Sequence, residues 1–465
     1  MATASTEYGP ERKFAAPKLW NGFASMGPGR PDPGAGTAVL QRVAERAAHG
    51  AGVRGRRVFG GLGLVGPAFV AAIAYVDPGN VASNFSAGAQ FGYLLVWVVV
   101  AANITAGLLQ YLSAKLGIVT GQSLPEVLGS RMAANRTGRL LYWAQAEAAA
   151  VATDLAEVVG GAIALSILFD LPLTLGAVVT GGVSTALLLA SDRRGQRWFE
   201  FVVVGLLAVI AVGFMVGLVV DPPPASAAVR GLIPGFDGSE SILLAVSMIG
   251  ATVMPHALYL HGAAARDRHL RGSTGGAGAR TARLLSATRL DVVLAMIVAG
   301  AVNLAMLLVS ANVLRGTDAT SVPAIHDGLS ARLGPAVGLL FALGLLASGL
   351  ASTAVGGYAG ATIMGGLLHR RIPVLVRRVL TLIPALALLL GGVDPTSALL
   401  GSQVVLSFGI PFAVIPLVVL TAKRELMGSF VNARRTTAVG MILAAAIVGL
   451  NVVLLVGEAA ALRGG

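Results

Sequence analysis

The stretch Ala74-Tyr75-Val76-Asp77-Pro78-Gly79-Asn80 decides how this chain is read. It sets a carboxylate, a proline, a glycine and an amide inside an otherwise apolar segment. A hydrocarbon interior tolerates an ionised side chain poorly, and an unpaired backbone polar group there is costly. Pro78 has no N–H and disfavours the α conformation at the residue before it, while Gly79 accepts almost any backbone angle. The segment is expected to enter a membrane as a helix, break near mid-depth and resume. The break would leave bare carbonyl oxygens beside Asp77 and Asn80, an oxygen-rich cradle for a cation. A second interrupted segment, Ala251-Thr252-Val253-Met254-Pro255-His256, lies far downstream. The functional reading requires the two breaks to face each other.

Composition supports the setting. The chain has 465 residues, 55% hydrophobic and 12% charged, with mean hydropathy +0.79. Soluble proteins carry about 25% charged residues. The expected class is an all-α polytopic membrane protein. Absence of cysteine excludes disulfides and thiolate metal sites. A net charge of +12 in such a protein reflects basic cytoplasmic loops rather than nucleic-acid binding. Residues 1–58 are rich in Pro, Gly, Ala and Arg without a sustained apolar run, and read as a disordered basic cytoplasmic tail. No signal-peptide pattern precedes the first span.

Apolar runs of roughly 20 residues, long enough to cross a bilayer, begin near Leu62, Tyr93, Leu140, Leu173, Trp198, Ser241, Leu290, Ala336, Val374, Leu400 and Val439. These give eleven expected transmembrane helices. With the N-terminus cytoplasmic, 30 of the 34 Lys and Arg residues fall on the inner side, and only Arg230, Arg315, Arg332 and Arg463 do not. An odd count then places the C-terminus outside. The breaks fall in spans one and six, five spans apart, the pattern of an inverted-repeat transporter with its site between broken helices. The expected organisation is a ten-helix core over 59–420, its repeats 59–220 and 240–420, and a peripheral eleventh helix at 436–458. Pro and Gly that merely kink a span are the plainer alternative, but both breaks also carry polar residues.

The residue types at the breaks suggest a cation. Asp77 supplies charge, Asn80 an amide oxygen, Ala251 only its backbone carbonyl and Met254 a thioether sulfur. Soft sulfur suits late transition metals, whereas Mg²⁺ and Ca²⁺ prefer oxygen shells. Most buried methionines are packing residues, but Met254 sits beside Pro255 and opposite the broken Asp77 segment. Span three carries Glu147, Asp154 and Glu157 within roughly a quarter of the helix circumference. Three carboxylates on one face cannot point at lipid, so they pair with cations or pass protons. Arg377 and Arg378, at the cytoplasmic start of span nine, are available partners. His256 and His261 follow the second break, with His256 the better candidate for a functional imidazole. Asn303 and Gln403 are amides in apolar runs. Asn303 reads better as a helix-to-helix hydrogen bonder, and pattern alone does not choose for Gln403.

The run Gly66-Pro67-Ala68-Phe69 through Asp77-Pro78-Gly79-Asn80 to Gly88-Ala89-Gln90-Phe91-Gly92-Tyr93 resembles the first spans of the NRAMP divalent-metal transporters. Met254-Pro255-His256 with Leu258-Tyr259-Leu260-His261 is similar to that family's sixth-span signature. Leu116–Gly121, Gly357–Gly360 and Ser402–Ser407 also resemble family sequence, so the likeness covers residues 60 to 420. It implies an amino-acid-symporter-like inverted-repeat fold and import of Mn²⁺ or Fe²⁺, with Cd²⁺ and Co²⁺ as further substrates, accompanied by protons. No cofactor is implied beyond the transported ions. By match of motif, Asp77, Asn80, the Ala251 carbonyl and Met254 would be metal ligands, joined by Gln403 in some states. His256, Glu157 and Asp154 would line a proton route, with Glu147 and the Arg377–Arg378 pair further inward. Ala257 and Gly262 depart from the family pattern, which bears on gating or proton detail rather than on the metal site.

Three other functions are less consistent with these residues. A sodium symporter for an organic anion would not place a carboxylate and a thioether at its breaks. A membrane metalloprotease needs a His-Glu-x-x-His pair, and ATP-driven transport a Gly-rich Lys loop; neither motif occurs. A channel would be told apart by turnover rate and single-channel current. The expected partners are the bilayer, a divalent metal and protons, without nucleic acid or ATP.

Overall fold

A 3₁₀ turn over Ile73–Val76 stops short of Asp77, and helix α1 starts at Pro78 and runs to Phe91. The computed structural model describes residues 73–464 apart from 195, 271–276, 318 and 371. The expected tail, the beginning of the first span with Gly66–Phe69, and Arg371 lie outside the described residues. After a second 3₁₀ turn at Gly92–Leu95 come α2 (Val96–Thr120), α3 (Leu124–Arg131), α4 (Arg136–Phe169), α5 (Leu173–Arg194), α6 (Gln196–Val220) and the short α7 (Ala225–Arg230). Helices α8 (Gly238–Thr252) and α9 (Pro255–Leu270) are the two parts of the second interrupted segment. Then follow α10 (Ala277–Val313), α11 (Val322–Leu333), α12 (Pro335–Leu368), α13 (Val374–Leu390), α14 (Pro395–Thr421), α15 (Arg424–Met427) and α16 (Arg434–Gly464). Among the described residues there is no strand.

Among the described residues, seven helical stretches are long and apolar enough to cross a membrane: Pro78–Thr120, Arg136–Phe169, Gly238–Asp267, Arg280–Val313, Pro335–Thr353, Pro395–Thr421 and Arg434–Gly457. Leu173–Leu187, Gly205–Val220 and Ala359–Leu368 are shorter apolar helices.

Small residues set how closely the helices approach, as is usual where lipid removes the hydrophobic drive between helices. Helix α12 packs along α4 and α6, α10 along α1 and α2, α9 along α2, and α14 along α4, α8 and α16. A Cβ on Gly160 of α4 would collide with the ring of Pro78, so that glycine seats the first break against α4. A Cβ on Gly117 of α2 would collide with the Gly262 carbonyl of α9, and one on Gly262 would meet the Ser113 hydroxyl at 2.7 Å. Packing against α2 thus favours glycine at position 262. Ser113 Oγ donates to the Leu258 carbonyl at 2.5 Å across the same seam. Deeper in the bundle, Phe85, Phe214 and Phe341 stack edge to face with centroids 5.1–5.8 Å apart.

Candidate metal site between two interrupted helices

Asp77 is the N-cap of α1. Its backbone is extended (φ −78°, ψ 170°), and Oδ1 accepts from the Asn80 N–H at 2.7 Å. Pro78 follows at the first helical position, where its missing N–H breaks no helical bond. The same residues that interrupt the span therefore restart it. On the other side α8 ends at Thr252, Val253 leaves helical angles (φ −100°, ψ 66°), and α9 begins at Pro255. Met254 stands in this joint, fully buried.

Asn80 joins the breaks. Its Nδ2 donates to Asp77 Oδ1 and to the Ala251 carbonyl, both at 2.9 Å, and its Oδ1 accepts from the Thr252 hydroxyl at 3.2 Å. An amide nitrogen thus sits between two oxygens from opposite breaks, where a cation would find the same two acceptors. For a cation to take that place, the amide must turn and present its oxygen.

Gln403 of α14 completes the enclosure. A Cβ on Gly79 would collide with its side chain, and one on Gly250 would collide with its backbone carbonyl. Gly250 lets the α14 backbone approach the second break, and Gly79 leaves room for the Gln403 side chain at the first. Asp77 Oδ2 and Gln403 Oε1 are buried with no hydrogen-bond partner among the described residues. Both acceptors face the enclosure, where a cation would satisfy them.

Helix ends add little net field. The start of α1 and the start of α9 present positive ends, while the 3₁₀ turn and the end of α8 present negative ones. These contributions of about half a charge each oppose one another.

Bare carbonyl oxygens were expected beside Asp77 and Asn80 at the first break. The carbonyls freed by the first break are not bare: Asn303 Nδ2 donates to Tyr75 O at 2.9 Å, and Ser348 Oγ to Val76 O at 2.6 Å. A break in a low-dielectric interior leaves acceptors that neighbouring helices satisfy when they can. The cradle is built from side chains and the Ala251 carbonyl. Asn303 also accepts from Asn84 at 3.0 Å, which gives it the bridging position expected of it.

The carboxylates of α4 lead away from the break. Gly160, which touches Pro78, is one turn from Glu157. Asp154 and Glu147 follow over roughly 15 Å of helix. Arg378 binds Asp154 at 3.0 Å, lies 3.8 Å from Glu157 and donates to the Thr353 carbonyl at 2.6 Å. Arg377 pairs with Glu147 at 3.2 Å. Gly356 of α12 leaves space for Asp154 and Glu157, whose oxygens would lie 3.1 and 3.2 Å from a Cβ there. His256 Nδ1 is 3.2 Å from the hydroxyl of Thr153, the residue before Asp154. His261 is buried, and neither ring nitrogen has a hydrogen-bond partner among the described residues.

The sequence reading passed over Thr252, Thr153 and the Gln110–Tyr75 pair (2.6 Å). Thr252 had a signal, being a hydroxyl inside the second break. Thr153 and Gln110 had none, since their neighbours come from other helices.

The Nramp family model, "natural resistance-associated macrophage protein-like", matches residues 68–457. The divalent metal cation transporter MntH of Mycobacterium tuberculosis is 59% identical over 393 residues, covering 84% of this chain and 91% of that protein. Among solved structures, the Eremococcus coleocola manganese transporter, in complex with an aromatic bis-isothiourea compound, aligns with a TM-score of 0.75 at 31% identity. That match covers 84% of this chain and 86% of that one. MhsT in complex with L-phenylalanine shares the fold at TM-score 0.57 and 13% identity, covering 84% of this chain and 98% of that one. With its apolar spanning helices and a match over most of its length, the chain is an integral membrane protein belonging to the Nramp family.

Proposed function

We propose that this chain imports divalent transition metals, Mn²⁺ or Fe²⁺ with Cd²⁺ and Co²⁺ as further substrates, into the cytoplasm together with protons. The observation that carries this reading is the Asn80 amide held between Asp77 and the Ala251 carbonyl. The names of the relatives, a divalent metal cation transporter and a manganese transporter, agree with it. The likeness to MhsT extends to the fold alone and carries no argument for an amino-acid substrate.

In this proposal the ion enters from outside, between spans one, six and eight, and sheds most of its water. Asp77, Asn80, the Ala251 carbonyl and Met254 take the ion, and Gln403 joins when α14 closes. The arriving positive charge favours loss of a proton from Asp77. His256, Glu157 and Asp154 carry that proton inward, with Glu147, Arg377 and Arg378 beyond them. The proposed architecture has eleven spans, a five-plus-five inverted repeat over 59–420 and a peripheral eleventh helix. Its N-terminus is cytoplasmic and its C-terminus is outside, with electrochemical gradients rather than ATP as the energy source.

The test is Mn²⁺ uptake into proteoliposomes by Asp77→Ala. Loss of saturable uptake in a protein that still inserts and folds supports the site. Retained uptake with an ordinary KM overturns it.

A further inference from the structure

Helix α14 carries two internal prolines, Pro411 and Pro416. Each lacks the N–H that would bond the carbonyl four residues earlier, so the carbonyls of Ser407 and Phe412 lose their helical partners inside an apolar span. Both are met by side chains from other helices. Tyr142 of α4 donates its hydroxyl to Phe412 O at 2.6 Å. Asn451 of α16 donates Nδ2 to Ser407 O at 3.0 Å and accepts from Ser407 Oγ at 2.8 Å. Asn451 is buried, in contrast to its neighbours Val452 and Val453, which are half exposed on the lipid-facing side of α16. An amide in such an apolar helix is costly unless it is used, and here both its donor and its acceptor are.

The carbonyl it holds has a particular place. Ser407 lies one turn beyond Gln403, and the Gln403 backbone carbonyl is wedged against Gly250 of α8. We propose that Asn451 is a positioning residue for transport: through the carbonyl opened by Pro411, the peripheral helix α16 sets the turn of α14 that presents Gln403 to the metal. This rests on the reading of Gln403 as part of the metal shell.

Asn451→Leu is compared with wild type for Mn²⁺ uptake in proteoliposomes, with Pro411→Ala as a second background. In the wild-type background KM rises about tenfold and Vmax changes little, the scale expected when a buried carbonyl loses its donor. Pro411→Ala restores a backbone N–H to the Ser407 carbonyl, so adding Asn451→Leu there shifts KM by less than about twofold. An unchanged KM with only a lowered melting temperature overturns the proposal, as does an equal KM rise in both backgrounds. Asn451→Ala is measured in parallel under the same criteria, and it decides the matter if the leucine variant does not insert. Gln403→Ala separates the two levels. If it leaves Mn²⁺ affinity unchanged, the reading of Gln403 falls. If it weakens affinity while neither Asn451 variant does, only the positioning role falls.

Discussion

Arg378 and Asp154 meet at 3.0 Å, with side chains only 8% and 3% exposed. Glu157 stands 3.8 Å from the same guanidinium, and the Thr353 carbonyl takes another of its N–H groups. One cation thus serves two carboxylates inside a span. Removing one partner of a buried pair leaves the other charge uncompensated, at about 3–5 kcal/mol. Arg378→Gln is expected to lower melting temperature and yield, and Arg378→Gln with Asp154→Asn to recover only part of the loss, since Glu157 also loses its cation. Asp154→Asn alone is expected to reduce proton flux more than Mn²⁺ flux. Equal loss of both fluxes would make the pair purely structural.

Met254 tests selectivity. Loss of its sulfur removes the one soft donor among the candidate ligands, leaving an oxygen set that suits alkaline earths. Met254→Ala is expected to retain part of its Mn²⁺ uptake and to gain Ca²⁺ or Mg²⁺ uptake. Isothermal titration of Mn²⁺ against Mg²⁺ on wild type and variant checks the same point, and an unchanged preference would refute the sulfur argument.

Gly79 tests closure. A methyl group there runs into the Gln403 side chain, so Gly79→Ala pushes that side chain from its place beside the break. It is expected to abolish high-affinity Mn²⁺ binding. Gly79→Ala with Gln403→Ala removes the collision and is expected to regain thermal stability without regaining affinity. A Gly79→Ala variant with wild-type affinity would show that the contact yields freely.

Asn303 tests the lining of the break. Asn303→Leu strands the Tyr75 carbonyl and the Asn84 amide, each costing about 1–3 kcal/mol if buried without a partner. A lower melting temperature is expected in purified protein. An unaltered melting temperature would mean that water replaces the lost bonds.

Much of this arrangement was legible in the chain because the bilayer makes polar residues conspicuous. Asp77, Pro78 and Gly79 announced a break, and the structure stops one turn at Val76 and begins α1 at Pro78. Met254-Pro255 announced the other, which is where α8 and α9 part. Glu147, Asp154, Arg377 and Arg378 were legible as unpaired charges needing partners, and geometry pairs them. The occupants of the freed carbonyls were not legible. Asn303 and Ser348 reach Tyr75 and Val76 from helices more than two hundred residues away. Local pattern carries no record of such meetings. The role of Gly79 and Gly250 as clearance for Gln403 was hidden for the same reason, since clearance belongs to the pair of surfaces and not to either sequence.

The donors lodged on Tyr75 and Val76 also bear on how the break is maintained. A helix that unwound only around its cargo would close up each time the cargo left, and the next ion would have to open it again. Asn303 and Ser348 keep the gap propped open by hydrogen bonds that need no ion. The opening beside Asp77 is therefore secured by the protein's own side chains, and an arriving ion does not have to make it.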